Sequence, residues 1–157
     1  MSLRSRMKRS EGGAILVEMA MVAPVLVSMV LGMITGGEAY FRRISVTEAV
    51  REGARFGASL QLGTGPTAAS DWETNVKARV VAASGGQLAT TDVCAKLVYP
   101  IGGTDCGVAD PDTASLEPSV HLAKVSATKG DSIQFLFFTV NTTLSSKLAA
   151  RYERDTG

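Results

Sequence analysis

A single ionisable side chain, Glu18, lies inside the otherwise uncharged stretch from Gly12 to Gly37. An ionised carboxylate in a membrane-spanning helix costs about 2.5 to 3.5 kcal/mol on insertion scales, so a glutamate in this position indicates a functional site whose partner must be found. The chemistry open to Glu18 is charge pairing. Because the stretch contains no basic side chain, we expect the partner to be a newly formed amine.

The apolar stretch is longer than the roughly 20 residues that a helix needs to cross a membrane. A secretory signal peptide would carry small residues at the end of its apolar core, whereas Gly12 and Gly13 precede the core here. We therefore divide the chain into a basic leader at 1–13, a transmembrane helix at 14–39 and one extracytoplasmic α+β domain at 40–157.

The positive charge of the chain is concentrated in the leader. The net charge is +1, and Arg4, Arg6, Lys8 and Arg9 precede the apolar stretch. The remaining domain is close to neutral, which gives no electrostatic footprint for nucleic acid. The G-x-S-x-G, phosphate-loop and H-E-x-x-H motifs are missing from the sequence, and His121 is its only histidine. We expect a protein that is not an enzyme and has no cofactor.

Two cysteines, Cys94 and Cys106, are the only pair in the chain. A disulfide needs an oxidising compartment, so this pair favours a domain outside the cytoplasm. Basic residues do not settle the orientation, since four arginines after the apolar stretch match the four basic residues before it. The alternative is two unpaired, buried thiols. A metal site is not expected, because two cysteines and a distant histidine are too few ligands for zinc.

Helical periodicity continues beyond the membrane segment and predicts one helix from Ala14 to about Leu60. Its second half is amphipathic. One face carries Val46, Ala49, Val50, Gly53, Gly57 and Leu60, and the other carries Glu48, Arg51, Glu52, Arg55 and Ser59. Each acid of the charged face is expected to pair with the arginine three residues later. The two glycines of the apolar face are expected to pack on the sheet of the same domain.

The rest of the chain predicts one short helix and a small antiparallel sheet. Ser70 to Glu73 has the pattern of a capping box, and Gly85-Gly86 is expected to end the helix that it opens. Four strands are expected at 93–99, 120–128, 133–140 and 142–153, with turns at Gly102-Gly103 and Lys129-Gly130-Asp131. The last strand alternates, with Leu144, Leu148, Ala150 and Tyr152 on its inner face.

Three further patterns carry weaker signals. Gly32 and Gly36 form a GxxxG element that lets two membrane helices approach closely, although ordinary glycine content explains it equally well. Phe135, Phe137 and Phe138 are expected to supply core side chains, with at least one left to cover the long helix or a neighbouring subunit. The acidic loop from Asp105 to Glu117 lacks EF-hand spacing, so we expect it to be solvated rather than to bind calcium.

Gly13, followed by four residues and then Glu18 at the head of an apolar helix, resembles the prepilin cleavage signal of type IV pilins. Three further stretches resemble the TadE-like proteins of the tight-adherence (Flp) pilus system. These are Glu18-Met19-Ala20 with Pro24, Arg51-Glu52-Gly53-Ala54-Arg55-Phe56-Gly57-Ala58, and Leu148-Ala149-Ala150-Arg151-Tyr152-Glu153. The resemblance spans most of the chain outside about residues 70–118.

The resemblance implies cleavage between Gly13 and Ala14 by a membrane aspartic peptidase on the cytoplasmic side. Ala14 then becomes the mature N-terminus, and Glu18 of one subunit can pair with the amine of its neighbour in a helical bundle. Such a pair neutralises two charges that lipid penalises and sets the stagger between subunits. The alternative is that Glu18 lies close enough to the membrane surface to be hydrated and has no partner.

These expectations describe a minor pilin or pseudopilin that takes part in pilus assembly and surface adhesion. It is expected to cross the bacterial cytoplasmic membrane once, with its C-terminal domain outside, and either to stay there or to enter an extracellular pilus. The implied partners are the prepilin peptidase, other minor pilins, the major Flp pilin, the inner-membrane assembly platform and lipid. The alternative is a permanently anchored extracytoplasmic binding module that is neither processed nor polymerised.

Overall fold

The computed structural model describes residues 4–61, 63, 67–98, 105–108, 121–135 and 138–152, with side chains from residue 13 onward. Helix α1 (Arg4–Ser59) is followed by helix α2 (Ala68–Ala83) and by strands β1 (Val93–Val98), β2 (Leu122–Gln134) and β3 (Thr139–Arg151). The strand order is β1-β2-β3, and β1 pairs antiparallel with β2. The predicted α+β class, with one long N-terminal helix, one short helix and a small antiparallel sheet, is confirmed.

The chain divides into two compact units. The smaller unit comprises Met1–Ala39 and Ile133–Val140, and the larger comprises Tyr40–Ser132 and Asn141–Gly157. Helix α1 and the hairpin formed by β2 and β3 therefore each contribute to both units.

The core of the larger unit is built from the second half of α1, from α2 and from the sheet. Its buried residues are Val46, Ala49, Val50 and Ala54 of α1, Trp72, Val76 and Val80 of α2, and Val93, Ala95, Ala123, Val125, Ala127 and Leu144 of the sheet. Each apolar side chain that leaves water contributes about 1.5 to 3 kcal/mol, so this contact is the main source of stability. The predicted apolar face of the long helix is confirmed, and its charged face is exposed.

The C-terminal end of α1 is held by side chains from two distant elements. The indole Nε1 of Trp72 donates a hydrogen bond to the carbonyl oxygen of Gly57 at 3.0 Å. The hydroxyl of Tyr152 donates one to the carbonyl oxygen of Leu60 at 2.8 Å. The last four carbonyls of a helix have no partner within the helix, so these bonds replace hydrogen bonds to water. They fix the end of α1 to α2 and to the residue that follows β3.

The start of α2 differs from the prediction. The helix begins at Ala68, and Thr67 caps it without a side-chain bond. Ser70 lies inside the helix, where its hydroxyl donates to the carbonyl oxygen of Thr67 at 2.7 Å, so the predicted capping box is wrong. A serine hydroxyl in the first turn can bond back to a carbonyl just as well as it can cap. The predicted end is confirmed, since Gly85 and Gly86 follow with φ of 60° and 85°.

The described residues contain three strands rather than the predicted four. Strand β2 runs straight through Lys129-Gly130-Asp131, where a turn was predicted. Contacts outside the strand explain this, because Asp131 accepts a hydrogen bond from Arg42 at 3.1 Å and Lys129 donates to the carbonyl oxygen of Gln87. Fixed in this way, the segment stays extended although its composition is typical of a turn.

The hairpin turn lies instead inside the predicted third strand. The backbone N–H of Phe135 donates to the carbonyl oxygen of Phe138 at 2.8 Å. Phe135 is half-buried and Phe138 is 58% exposed, so neither ring belongs to the core as predicted. Both line a cleft with the long helix, which confirms the prediction that at least one ring covers that helix. Phe137 lies outside the described residues. The inner face predicted for the last strand is confirmed, since Leu144 and Tyr152 are buried.

One of the two predicted ion pairs on α1 is confirmed. Glu48 and Arg51 are 2.9 Å apart. Glu52 pairs with Arg79 of α2 rather than with Arg55, so the second predicted pair is wrong. Arg79 on the neighbouring helix competes with Arg55 on the same helix for the carboxylate of Glu52. The spacing of residues in the sequence identifies only neighbours on the same helix.

Candidate functional site

The predicted cleavage bond, between Gly13 and Ala14, lies within helix α1. The helix begins at Arg4 rather than at the predicted Ala14. The leader contains no proline, and its two glycines weaken a helix by only about 1 kcal/mol each relative to alanine, so the helical pattern continues through it. The same weakness makes the two glycines the place where this part of the helix unwinds most cheaply.

Glu18 lies on an exposed turn of α1. Its neighbours Leu16 and Met19 are 72% and 64% exposed. Among the residues that the structure describes, no basic side chain pairs with the Glu18 carboxylate. Ala14 and Glu18 are four residues apart and therefore share one face of the helix, about 6 Å apart along its axis. A free amine at residue 14 and the carboxylate of Glu18 would together form a single polar site on an otherwise apolar helix surface.

The first half of α1 is apolar around its circumference and has almost no cover. The helix is long and apolar enough to cross a membrane, which makes it a candidate membrane anchor. Its exposed large apolar side chains include Ile15, Leu16, Val17, Met21, Val25, Leu26, Met29, Val30, Met33 and Ile34. A helix that is hydrophobic on all sides is stable only in a bilayer or inside a bundle.

The two glycine pairs of α1 have different surroundings. A Cβ added at Gly32 or Gly36 would meet nothing within 4 Å. A Cβ at Gly53 would overlap the side chain of Val80, and one at Gly57 would lie 2.8 Å from the ring of Trp72. Gly53 and Gly57 therefore admit α2, not the sheet as the sequence suggested. Gly32 and Gly36 therefore have space for a close contact, although Gly32 also lines a cleft with Phe135 and Phe138.

Cys94 and Cys106 are joined by a disulfide, with a Cα to Cα distance of 5.5 Å. The short segment around Cys106 is further held by the Ser126 hydroxyl, which donates to the carbonyl oxygen of Cys106 at 2.8 Å. The Nζ atom of Lys96 lies 3.7 Å from the Oδ1 atom of Asp105 and forms a salt bridge with it. These three links fix the loop to the outer face of β1 and β2. Asp110, Asp112 and Glu117 lie outside the described residues.

A charged groove lies on the surface of the larger unit. It has a volume of about 1060 Å³ and is lined by Glu48, Arg51, Glu52, Arg55, Phe56, Ala58, Ser59, Arg79, Leu148, Ala150 and Arg151. Two of its arginines pair with Glu48 and Glu52, and the guanidinium of Arg79 also lies 5.9 Å from the centre of the Phe56 ring. Within the described part of the chain, Arg55 and Arg151 have no partner.

This groove joins two stretches that are far apart in sequence. Arg55 belongs to the stretch 51–58 and Arg151 to the stretch 148–153, both of which the sequence analysis singled out. Four guanidinium groups and two carboxylates leave the groove positive, so it is suited to bind carboxylates. Sequence reasoning identified both stretches but gave no sign that they meet.

His121 contacts Tyr152 in the structure, and this contact holds the end of the sheet together. It directly precedes β2, its ring lies edge-on to that of Tyr152 at 6.2 Å, and its carbonyl oxygen accepts a hydrogen bond from the Tyr152 backbone. No group of three or more His, Cys, Asp or Glu side chains that could hold a metal ion occurs in the described ranges.

Fold and site together define an α+β protein with a candidate membrane helix at its N-terminal end. The family model described as TadE-like protein matches residues 13–55 of this chain. The predicted resemblance is confirmed over this segment, which contains Gly13, Glu18 and both glycines of the open pair. No curated protein and no solved structure matches the chain with significance.

Proposed function

We propose that this protein is a minor pilin or pseudopilin of a tight-adherence (Flp) type IV pilus. One observation carries the proposal: the first part of the TadE-like segment, residues 13–37, is a largely exposed apolar helix whose only charged group is the carboxylate of Glu18, five residues after Gly13. A helix of this kind needs a bilayer before assembly and other helices after it. A pilin has these two surroundings in turn, first the membrane and then the helices of neighbouring subunits in the fibre.

Cleavage after Gly13 gives Glu18 its partner. The new α-amine at Ala14 and the carboxylate at Glu18 are each costly in lipid when alone. Paired between neighbouring subunits they neutralise each other, and removal of one member then leaves an uncompensated buried charge, which costs about 3 to 5 kcal/mol. The pair therefore favours one axial stagger of the helices over all others.

The same proposal sets the topology and the partners. The basic leader remains in the cytoplasm, where the prepilin peptidase removes it, and the domain from residue 40 onward lies outside. The disulfide between Cys94 and Cys106 supports an oxidising location for that domain. The helix then packs with other minor pilins and the major Flp pilin on the inner-membrane assembly platform, and the protein contributes to pilus assembly and surface adhesion.

A permanently anchored extracytoplasmic binding module is the second candidate function. The groove that contains Arg55 and Arg151 favours it, since a positive groove gives such a module a place to bind carboxylates. In that case the leader is retained, and Glu18 is a hydrated residue near the membrane surface.

The mature N-terminus separates the two functions. We expect the native protein, extracted from membranes of cells with an active prepilin peptidase, to begin at Ala14 when its mass and N-terminal peptide are determined. A Gly13→Val variant is the matched control and should retain the leader, because a branched side chain replaces the small residue at the cleavage bond. A native protein that still begins at Met1 contradicts the pilin proposal and supports the anchored module.

A further inference from the structure

The hairpin tip, residues 133–135 and 138–140 at the adjoining ends of β2 and β3, carries exposed apolar side chains in a stretch that sequence reasoning placed in one strand. The rings of Phe135 and Phe138 stack with their centres 4.8 Å apart and an angle of 24° between their planes. Phe138 is 58% and Val140 is 43% exposed. A phenylalanine loses about 1.5 to 3 kcal/mol of stabilisation when it stays in water, so the exposed Phe138 beside Val140 indicates a contact surface.

The hairpin tip lies against the apolar half of α1. Both belong to the smaller compact unit. They share a cleft of about 490 Å³ whose walls include Leu31, Ile34 and Thr35 of the helix and both phenylalanines of the tip. The tip thus packs on part of the candidate membrane anchor itself.

The position along the helix fixes the surroundings of the tip. Leu31 and Thr35 precede Glu38, the next charged residue after Glu18, by about 10 and 5 Å at 1.5 Å per residue. Elements that lie in the membrane interface bury their apolar face about 5 to 10 Å into the boundary between headgroups and acyl chains. If the helix crosses the bilayer, an element packed on it at this level shares that boundary.

The chemistry of the tip suits this surrounding. No charged residue occurs in the sequence between Asp131 and Lys147. On the helix side of the cleft, the Thr35 hydroxyl donates to the carbonyl oxygen of Leu31, and the Ser28 hydroxyl donates to that of Val25 at 2.8 Å. These two hydroxyl groups are satisfied within the helix, so the helix side of the cleft does not require water.

We propose that the hairpin tip, through Phe135, Phe138 and Val140, inserts into the outer interface of the bilayer beside α1, so that the protein contacts lipid through two elements. The inference rests on the membrane-spanning role of α1, which is part of the proposed function. The hairpin tip then fixes how deep the helix sits in the bilayer until the subunit is extracted into a fibre.

Fluorescence quenching in vesicles tests the inference on the full chain. Phe138→Trp is reconstituted into phosphatidylcholine vesicles with and without bromine atoms on the upper part of the acyl chains. The native Trp72 is 2% exposed in the core of the larger unit, so the unsubstituted chain gives the background. We expect bromolipid to remove about half or more of the emission added by Phe138→Trp, as for a side chain at the acyl boundary.

Two controls separate failure of this inference from failure of the proposed membrane role. Met33→Trp places an indole on the exposed face of α1 and should be quenched if the helix is inserted. Ala78→Trp places one on the exposed side of α2 and should not be. Quenching at position 33 without quenching at 138 overturns the hairpin inference and leaves the helix in the membrane, as expected if the tip is reserved for a neighbouring subunit. Absence of quenching at both positions overturns both.

Discussion

Helix α1 carries two glycine pairs with the same spacing in opposite surroundings. Gly53 and Gly57 lie under α2, where the side chains of Trp72 and Val80 occupy the space that a Cβ would need. Gly32 and Gly36 face open space. The first pair therefore serves the fold of this chain, whereas the second has space for a further contact, although Gly32 also lines the cleft with Phe135 and Phe138. The spacing alone does not distinguish the two uses, because both pairs allow a close helix contact.

The same contrast separates the two halves of α1. The second half contributes Val46, Ala49 and Val50 to a closed core, and side chains from α2 and from the residue after β3 satisfy its last carbonyls. The first half is exposed over nearly all its length and carries Glu18 without a partner among the described residues. The folded half is complete within one chain, whereas the apolar half needs a bilayer or other subunits.

The largest effect is expected when the cover of Gly57 is removed. Trp72→Ala deletes a fully buried side chain and the hydrogen bond from Nε1 to the Gly57 carbonyl oxygen, and should cost about 3 to 5 kcal/mol. Chemical unfolding of the detergent-solubilised chain, followed by circular dichroism, measures it. Trp72→Phe keeps most of the packing and should cost clearly less. Equal losses of unfolding free energy for the two variants would mean that the hydrogen bond of Trp72, and not its packing, stabilises the second half of α1.

The next largest effect is expected from loss of the disulfide, which lies in the larger compact unit and not in the apolar half of α1. Its cysteines are 12 residues apart, and loop closure of this size stabilises a protein by about 3 kcal/mol. The double variant Cys94→Ser with Cys106→Ser should therefore lower the unfolding free energy of the domain by about 2 to 3 kcal/mol. Insertion of the helix into vesicles should not change. The reduced native chain is the control and should unfold like the variant; a native chain indifferent to reduction would contradict the expectation.

Alanine substitution in each glycine pair tests the comparison directly. Gly53→Ala forces an overlap with the fully buried Val80, and overpacking costs about 1 to 3 kcal/mol, of which about 1 is offset by the better helix propensity of alanine. Gly32→Ala meets no atom within 4 Å, so the unfolding of the domain should stay the same. We expect the second variant to lower subunit association instead. A domain destabilised equally by both would remove the distinction.

The smallest effect is expected where the packed half begins. Arg42 donates to Asp131 at 3.1 Å, and the second carboxylate oxygen of Asp131 is buried with no hydrogen-bond partner in the described structure. Arg42→Ala removes the cation beside this carboxylate and should cost about 1 kcal/mol, since the arginine side chain is 38% exposed and its charge is screened. The matched variant Arg43→Ala should have no measurable effect on thermal unfolding. A loss at position 43 equal to that at 42 would contradict the role of the pair.

Elements with strong local signals could be predicted from the sequence. The amphipathic half of α1 and the end of α2 at Gly85-Gly86 follow from periodicity and from positive φ, which are properties of a few adjacent residues. The hairpin could not be predicted. Lys129-Gly130-Asp131 has the composition of a turn, but Arg42 and Gln87, far away in the chain, keep it extended. The hydrogen bond from Phe135 to Phe138 closes the hairpin instead, in a stretch of sequence from 133 to 140 that contains no glycine, proline, asparagine or aspartate.

The candidate site shows the same division. Gly13, Glu18 and the apolar stretch are read from one continuous segment, and the family match covers that segment. The pairing of Glu52 with Arg79, and the meeting of Arg55 with Arg151 in one groove, depend on which elements pack together. Sequence spacing reports neighbours on one helix. It does not report neighbours across a tertiary contact.

The most direct test of the account is the incorporation of Glu18→Gln into assembled fibres. The variant removes the carboxylate and keeps the size of the side chain, so insertion and cleavage should stay near normal while the fraction of subunits in sheared fibres falls, by about tenfold if the pair contributes only 1.4 kcal/mol per contact. Glu38→Gln, at the exposed end of the apolar stretch, is the matched control and should assemble normally. Normal incorporation of Glu18→Gln would contradict the claim that this carboxylate pairs with the freed amine of a neighbouring subunit.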